Sequence, residues 1–79
     1  MERIVILNVI QNALREVLDG EYIELSENMS PSDIEDWDSL AHFQLVMELQ
    51  SVLDIKFSSQ QIQSWKNVGS IIDSVISLK

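Results

Sequence analysis

Apolar residues return every three or four positions along three stretches of this chain, and that period commits most of its length to amphipathic helix. The first stretch, Glu2 to Asp19, places Ile4, Leu7, Ile10, Leu14, Val17 and Leu18 at this spacing, and Ile6, Val9 and Ala13 widen its face. Gly20 follows as a natural C-terminal stop. A second helix opens at Asp38-Ser39, where either side chain can accept from the free amides of the first turn, and runs to about Leu53. Ser58 starts a short helix through Trp65, with Ile62 and Trp65 at i, i+3. Asn67 then caps a last helix to about Leu78, with Val68, Ile71, Ile72, Val75, Ile76 and Leu78 as its buried stripe. The expected architecture is all-α. It is a four-helix bundle of three main helices plus one short helix, with a long loop between the first and second. With 79 residues, positions 1–79 read as one domain.

That loop, residues 20 to 38, lacks a helical or alternating period for most of its length. Asn28, Ser30, Pro31, Ser32 and Asp33 are turn formers, and Ser30-Pro31 suits one short helical turn. Tyr22, Ile23, Leu25, Met29 and Ile34 are its expected anchors. It also holds Glu21, Glu24, Glu27, Asp33, Glu35, Asp36 and Asp38 without one Lys or Arg, in a chain of net charge −8. Such a field repels nucleic acid and anionic lipid and speeds encounter with basic partners. No cysteine means no disulfide framework and no thiolate site. The longest apolar run, Ile4 to Leu7, is far too short for a membrane span, and Met1-Glu2-Arg3-Ile4 is no secretory leader. A cytoplasmic protein is expected, without membrane insertion.

The second helix carries apolar residues on two sides. At about 100° per residue, Leu45, Leu49, Val52 and Leu53 share one side, with Ala41, His42 and Val46 at its edges. Leu40, Phe43 and Met47 fall opposite, flanked by Gln44, Glu48, Gln50 and Ser51. One core cannot bury both sides, so the second set either packs under the loop or forms a partner surface ringed by polar groups. At the start of this helix, Ser39 is simply a cap, or else a hydroxyl held where helix amides favour a bound anion.

The run Glu35-Asp36-Trp37-Asp38-Ser39-Leu40-Ala41-His42-Phe43-Gln44-Leu45-Val46-Met47-Glu48-Leu49 resembles the attachment segment of acyl and peptidyl carrier proteins. The order of elements agrees over nearly the whole chain, down to a closing helix after Asn67-Val68-Gly69. The resemblance implies a non-enzymatic carrier. Ser39 would accept 4′-phosphopantetheine from coenzyme A, and Asp38 would help a transferase hold its metal ion. An acyl or aminoacyl group would ride on the arm as a thioester. Leu40, Phe43 and Met47, with Glu35 and Asp36, would then meet partners: a phosphopantetheinyl transferase, a loading enzyme, and a cargo-using transferase or synthase. His42, Ile62 and Trp65 are candidates for the cargo site. Two departures stand out. Carriers of fatty-acid synthesis typically bear acids on the second and third helices, where this chain has Gln44, Gln50, Ser51, Ser59, Gln60, Gln61 and Gln63. That favours a dedicated pathway over housekeeping synthesis. Trp65 stands near where such carriers often place smaller aliphatics; it either limits the cargo to short or polar groups or is ordinary core packing.

Other readings compete. A helical adaptor without a prosthetic group would use the same Leu40, Phe43 and Met47 surface. A Ser39–His42 hydrolase would need an orienting acid, and Asp38 is badly placed for that. The loop acids miss the calcium-hand pattern, since Asp38 and Gln44 stand where a glycine and a closing glutamate are required. Trp37 is expected to anchor the loop against the bundle or to join the partner surface. The start at Met1 and the end soon after the last helix fit a discrete polypeptide, and a monomer is the simplest reading for a protein that must visit several partners.

Overall fold

The computed structural model describes all 79 residues and contains four α-helices: α1 (Arg3–Leu18), α2 (Ser39–Leu53), α3 (Ser59–Ser64) and α4 (Val68–Leu78). α1 packs against α2 and α4, and α3 packs against α4. Ile6, Ile10 and Leu14 of α1, Leu45 and Leu49 of α2, and Val68, Ile72 and Val75 of α4 are fully buried in one cluster. Each such side chain contributes about 2 kcal/mol of burial against the entropy of ordering the chain.

The helix ends follow local chemistry. Asp38 caps α2 by accepting from the Ala41 N–H at 2.9 Å, so Ser39 is the first helical residue and not the cap. Ser58 and Gln61 form a reciprocal capping box on α3, and Asn67 Oδ1 accepts from the Ser70 N–H at the start of α4. α1 ends one residue before the expected glycine stop. Asp19, not Gly20, takes the left-handed conformation (φ 52°), and the Gly20 N–H closes the turn on the Arg15 carbonyl at 3.0 Å. Asp54 does the same for α2. Aspartate tolerates this region better than most side chains, which is why glycine is not required at either end.

The long loop contains one 3₁₀ turn, Pro31–Asp33, at the expected Ser30-Pro31 start. Its backbone is tied down along its length. Gln11 accepts from the Leu25 N–H at 2.8 Å, and Arg15 Nε donates to the Ile23 carbonyl at 2.7 Å. The loop carbonyls of Met29 and Glu27 accept from the Val68 and Gly69 amides of α4 at 2.8 and 2.9 Å. A Cβ on Gly69 would lie 3.2 Å from that Glu27 carbonyl, so glycine permits the close approach. Arg3 then clasps the loop to both terminal helices, donating to the Glu27 carboxylate and to Asp73. Its guanidinium holds the Glu27 carboxyl below the usual carboxylate range.

Five expected burials do not occur. Tyr22 is 93% exposed and anchors nothing; Leu25 is buried, with Ile23, Met29 and Ile34 partly so. On α1, Ile4 is exposed while Ile6 enters the core. Residues 4 to 7 are all apolar, so period alone does not choose the inward face. Arg3, which shares a side with Ile10 and Leu14, is drawn to Glu27 and Asp73 and accompanies the observed rotation. Val52 of α2 faces an open groove bordered by Val9, Asn12 and Glu16, where solvent enters. Ile76 lies about 100° round α4 from Val75 and is exposed, as is Leu78 in the final turn.

Candidate functional site at the start of helix α2

Asp36 (φ 71°) reverses the chain just before α2, and the Asp38 N–H closes a tight turn on the Asp36 carbonyl at 2.9 Å. The reversal turns Trp37 inward, where it is 5% exposed, and leaves Asp38 and Ser39 facing solvent. Trp37 therefore anchors the loop and takes no part in an exposed partner surface. With Ala41 served by Asp38, the amides of Ser39 and Leu40 have no protein partner.

Ser39 stands at the rim of a cavity of about 390 Å³. Its walls include Trp37, Asp38, His42, Trp65, Lys66, Asn67 and Ile71. An aromatic chain runs along it. Trp37 and His42 have ring centroids 5.9 Å apart, His42 meets Trp65 edge-on at 5.7 Å, and Trp65 meets Phe57 edge-on at 4.9 Å. Trp37 Nε1 donates to His42 Nδ1 at 3.1 Å, and Trp65 Nε1 donates to the buried Ser74 hydroxyl at 2.8 Å.

These bonds fix the chemistry of His42. An imidazole whose Nδ1 accepts from an indole carries its proton on Nε2 when neutral, so the ring is a donor there and not a base. Burial pushes its pKa below the ordinary 6.5. No hydrogen bond joins Ser39 and His42, and the Ser–His hydrolase arrangement is absent. The lowered pKa carries a sign. The unfolded chain takes up the proton first as pH falls below 6.5, so the stability that His42 contributes above that value is lost on acidification. His42→Phe is expected to flatten the dependence of Tm on pH between about pH 7 and 5.

Of the other sequence candidates, Leu40, Phe43 and Met47 are 66, 62 and 51% exposed, so they do not pack under the loop. Glu35 and Asp36 are exposed at the same end, and neither forms an ion pair. Ile62 packs partly buried against the core and is not a wall of the cavity. Lys66, Asn67 and Ile71 of the cavity were not among the sequence candidates. They reach it because α4 starts beside α2, a proximity that periodicity does not reveal.

The whole arrangement superposes on the solution structure of a holo acyl carrier protein from Geobacter metallireducens. The TM-score is 0.84 and the identity 36%, over 91% of this chain and 83% of that one. The chain belongs to the acyl carrier protein family. No protein-family model matches it, and a search of curated proteins found no match. As an acyl carrier protein it is a carrier and not an enzyme. No helix of this carrier is long and apolar enough to cross a membrane.

Proposed function

We propose that Ser39 is the attachment point for 4′-phosphopantetheine, and that the chain carries an acyl or aminoacyl group between biosynthetic enzymes. The observation that carries this reading is an exposed serine hydroxyl at the first position of α2, beside an aromatic-lined cavity, with two free helix amides next to it. In the transfer, the Ser39 oxygen forms a bond to the arm's phosphorus while the bond to the adenosine bisphosphate of coenzyme A breaks. The hydroxyl proton passes to the transferase. The free amides of Ser39 and Leu40 and the dipole of α2 favour the resulting phosphodiester charge. Asp38 caps with Oδ1 and keeps Oδ2 free, which suits a carboxylate that also reaches a transferase's metal ion. The arm supplies a terminal thiol for the cargo thioester.

Partners dock through Leu40, Phe43 and Met47, rimmed by Glu35 and Asp36. Apolar and aromatic centres ringed by polar groups suit an interface that forms and releases repeatedly. The acids lie in the loop while α2 and α3 present Gln44, Gln63 and their polar neighbours, and this supports a dedicated pathway over housekeeping fatty-acid synthesis. The carrier acts as a monomeric domain over residues 1–79, in the cytoplasm.

The test uses a broad-specificity phosphopantetheinyl transferase and a fluorescent coenzyme A. Label should appear in the peptide that contains Ser39. Phe43→Ala with Met47→Ala should lower kcat/KM for labelling by about tenfold, as for loss of hot-spot contacts. A folded protein that takes no label from several transferases would instead be a helical adaptor using the same surface.

A further inference from the structure

Leu45 and Leu49 of α2 and Val68 and Ile72 of α4 are fully buried in one cluster. Of the three cavities in the molecule, only the one at Ser39 touches the attachment end. The others lie at the C-terminus of α1 and in the groove between α1 and α2. The Trp65 indole and Ile71 are among the walls of the Ser39 cavity. That indole is fixed on three sides: by the Phe57 ring at 4.9 Å, by His42 at 5.7 Å, and by the hydrogen bond to Ser74 at 2.8 Å. Ser74 is buried within α4, so swinging the indole aside would leave its hydroxyl without a partner in an apolar setting. Trp65 is therefore a fixed part of the wall and not a gate.

The ring nitrogens of the walls are equally restricted. The Trp37 and Trp65 indole N–H groups are already bonded, to His42 and Ser74. His42 Nε2 forms no bond within the protein and carries a proton in the neutral ring. It is the one ring nitrogen along this aromatic wall without a partner in the protein, and it is a donor.

Resting on the Ser39 attachment proposed above, we infer that the cavity bounded by Trp37, His42 and Trp65 holds short acyl groups bearing an oxygen acceptor, such as a 3-hydroxyacyl group. It excludes long alkyl chains from the bundle interior. The His42 imidazole donates to the cargo oxygen, the indole faces cover its few carbons, and Trp65 stops a longer chain from passing between α2 and α4.

Three loaded forms test this, made by a broad-specificity transferase from butyryl-, 3-hydroxybutyryl- and octanoyl-coenzyme A. Each is followed by Tm and by the indole N–H resonances of Trp37 and Trp65. The 3-hydroxybutyryl form should raise Tm by about 4 °C over the unacylated holo form and shift both indole signals, and the butyryl form less. The octanoyl form should leave Tm and the core methyl resonances unchanged. In Trp65→Leu, the octanoyl chain should enter, raise Tm and shift the methyl signals of α2 and α4. His42→Phe should equalise butyryl and 3-hydroxybutyryl. If the octanoyl chain protects the wild type as well as the short cargo does, the inference fails while the attachment reading stands. That comparison needs no variant to fold. Absence of loading at Ser39 in all three reactions would remove the attachment reading, and this inference with it.

Discussion

Leu45→Ala should cost about 3 kcal/mol of stability and lower Tm by about 15 °C, close to the limit of what so small a domain tolerates. Leu45 is fully buried at the centre of α2, in the cluster shared with Ile10 of α1 and Ile72 of α4. Removing its side chain forfeits the transfer energy and leaves a cavity that helices on both sides cannot easily close. Phe43, two positions earlier, lies on the other face of the same helix and is mostly exposed. Phe43→Ala should stay within about 0.5 kcal/mol of the wild type. Denaturant unfolding of both variants makes the comparison. Equal losses would mean that the exposed strip is structural, and its proposed role in partner docking would go with it.

The second large effect separates two neighbouring residues. Ser39→Ala should abolish loading with phosphopantetheine while changing stability by no more than about 0.5 kcal/mol, because the hydroxyl makes no bond within the protein and does not cap the helix. Asp38→Ala should behave in the opposite sense on stability. It removes the carboxylate that accepts from Ala41 and should cost about 1 kcal/mol. Loading of Asp38→Ala should fall without vanishing, since Ser39 remains. Asp38→Asn, which keeps a capping oxygen but not the charge, should restore most of the stability and little of the loading rate. Thermal melts together with labelling rates read both quantities on the same samples. Ser39→Ala as destabilised as Asp38→Ala would mark the serine as a capping residue after all.

How much of this was legible in the sequence depends on which force sets each feature. The four helices, their caps at Asp38, Ser58 and Asn67, and the 3₁₀ turn after Ser30 follow from local spacing and side-chain chemistry, and they stand where the pattern places them. The two faces of α2 were legible because no single core can surround a helix of this size. The inward face of α1 was not, since Ile4 to Leu7 offer several equal choices and the rotation is shared with a contact 24 residues away, between Arg3 and Glu27. Tyr22, Val52 and Ile76 show the same limit, as apolar residues whose burial depends on what the tertiary fold brings opposite them. At the site, Ser39, Asp38, His42 and Trp65 carried a local signal: a helix start, a lone histidine, a tryptophan at helical spacing. Lys66, Asn67 and Ile71 carried none, because they share a cavity with Ser39 only once the tertiary fold brings the start of α4 to it. The Ser74 hydroxyl was equally silent. A serine on a helix reads as surface until an indole is seen to donate to it.

The measurement that bears most directly on the central claim is the intact mass of the protein after co-expression with a broad-specificity phosphopantetheinyl transferase, beside Ser39→Ala prepared in the same way. The wild type should gain the mass of one phosphopantetheine, and the variant none. A folded wild type with no added mass, or a variant that gains as much as the wild type, would contradict attachment at Ser39.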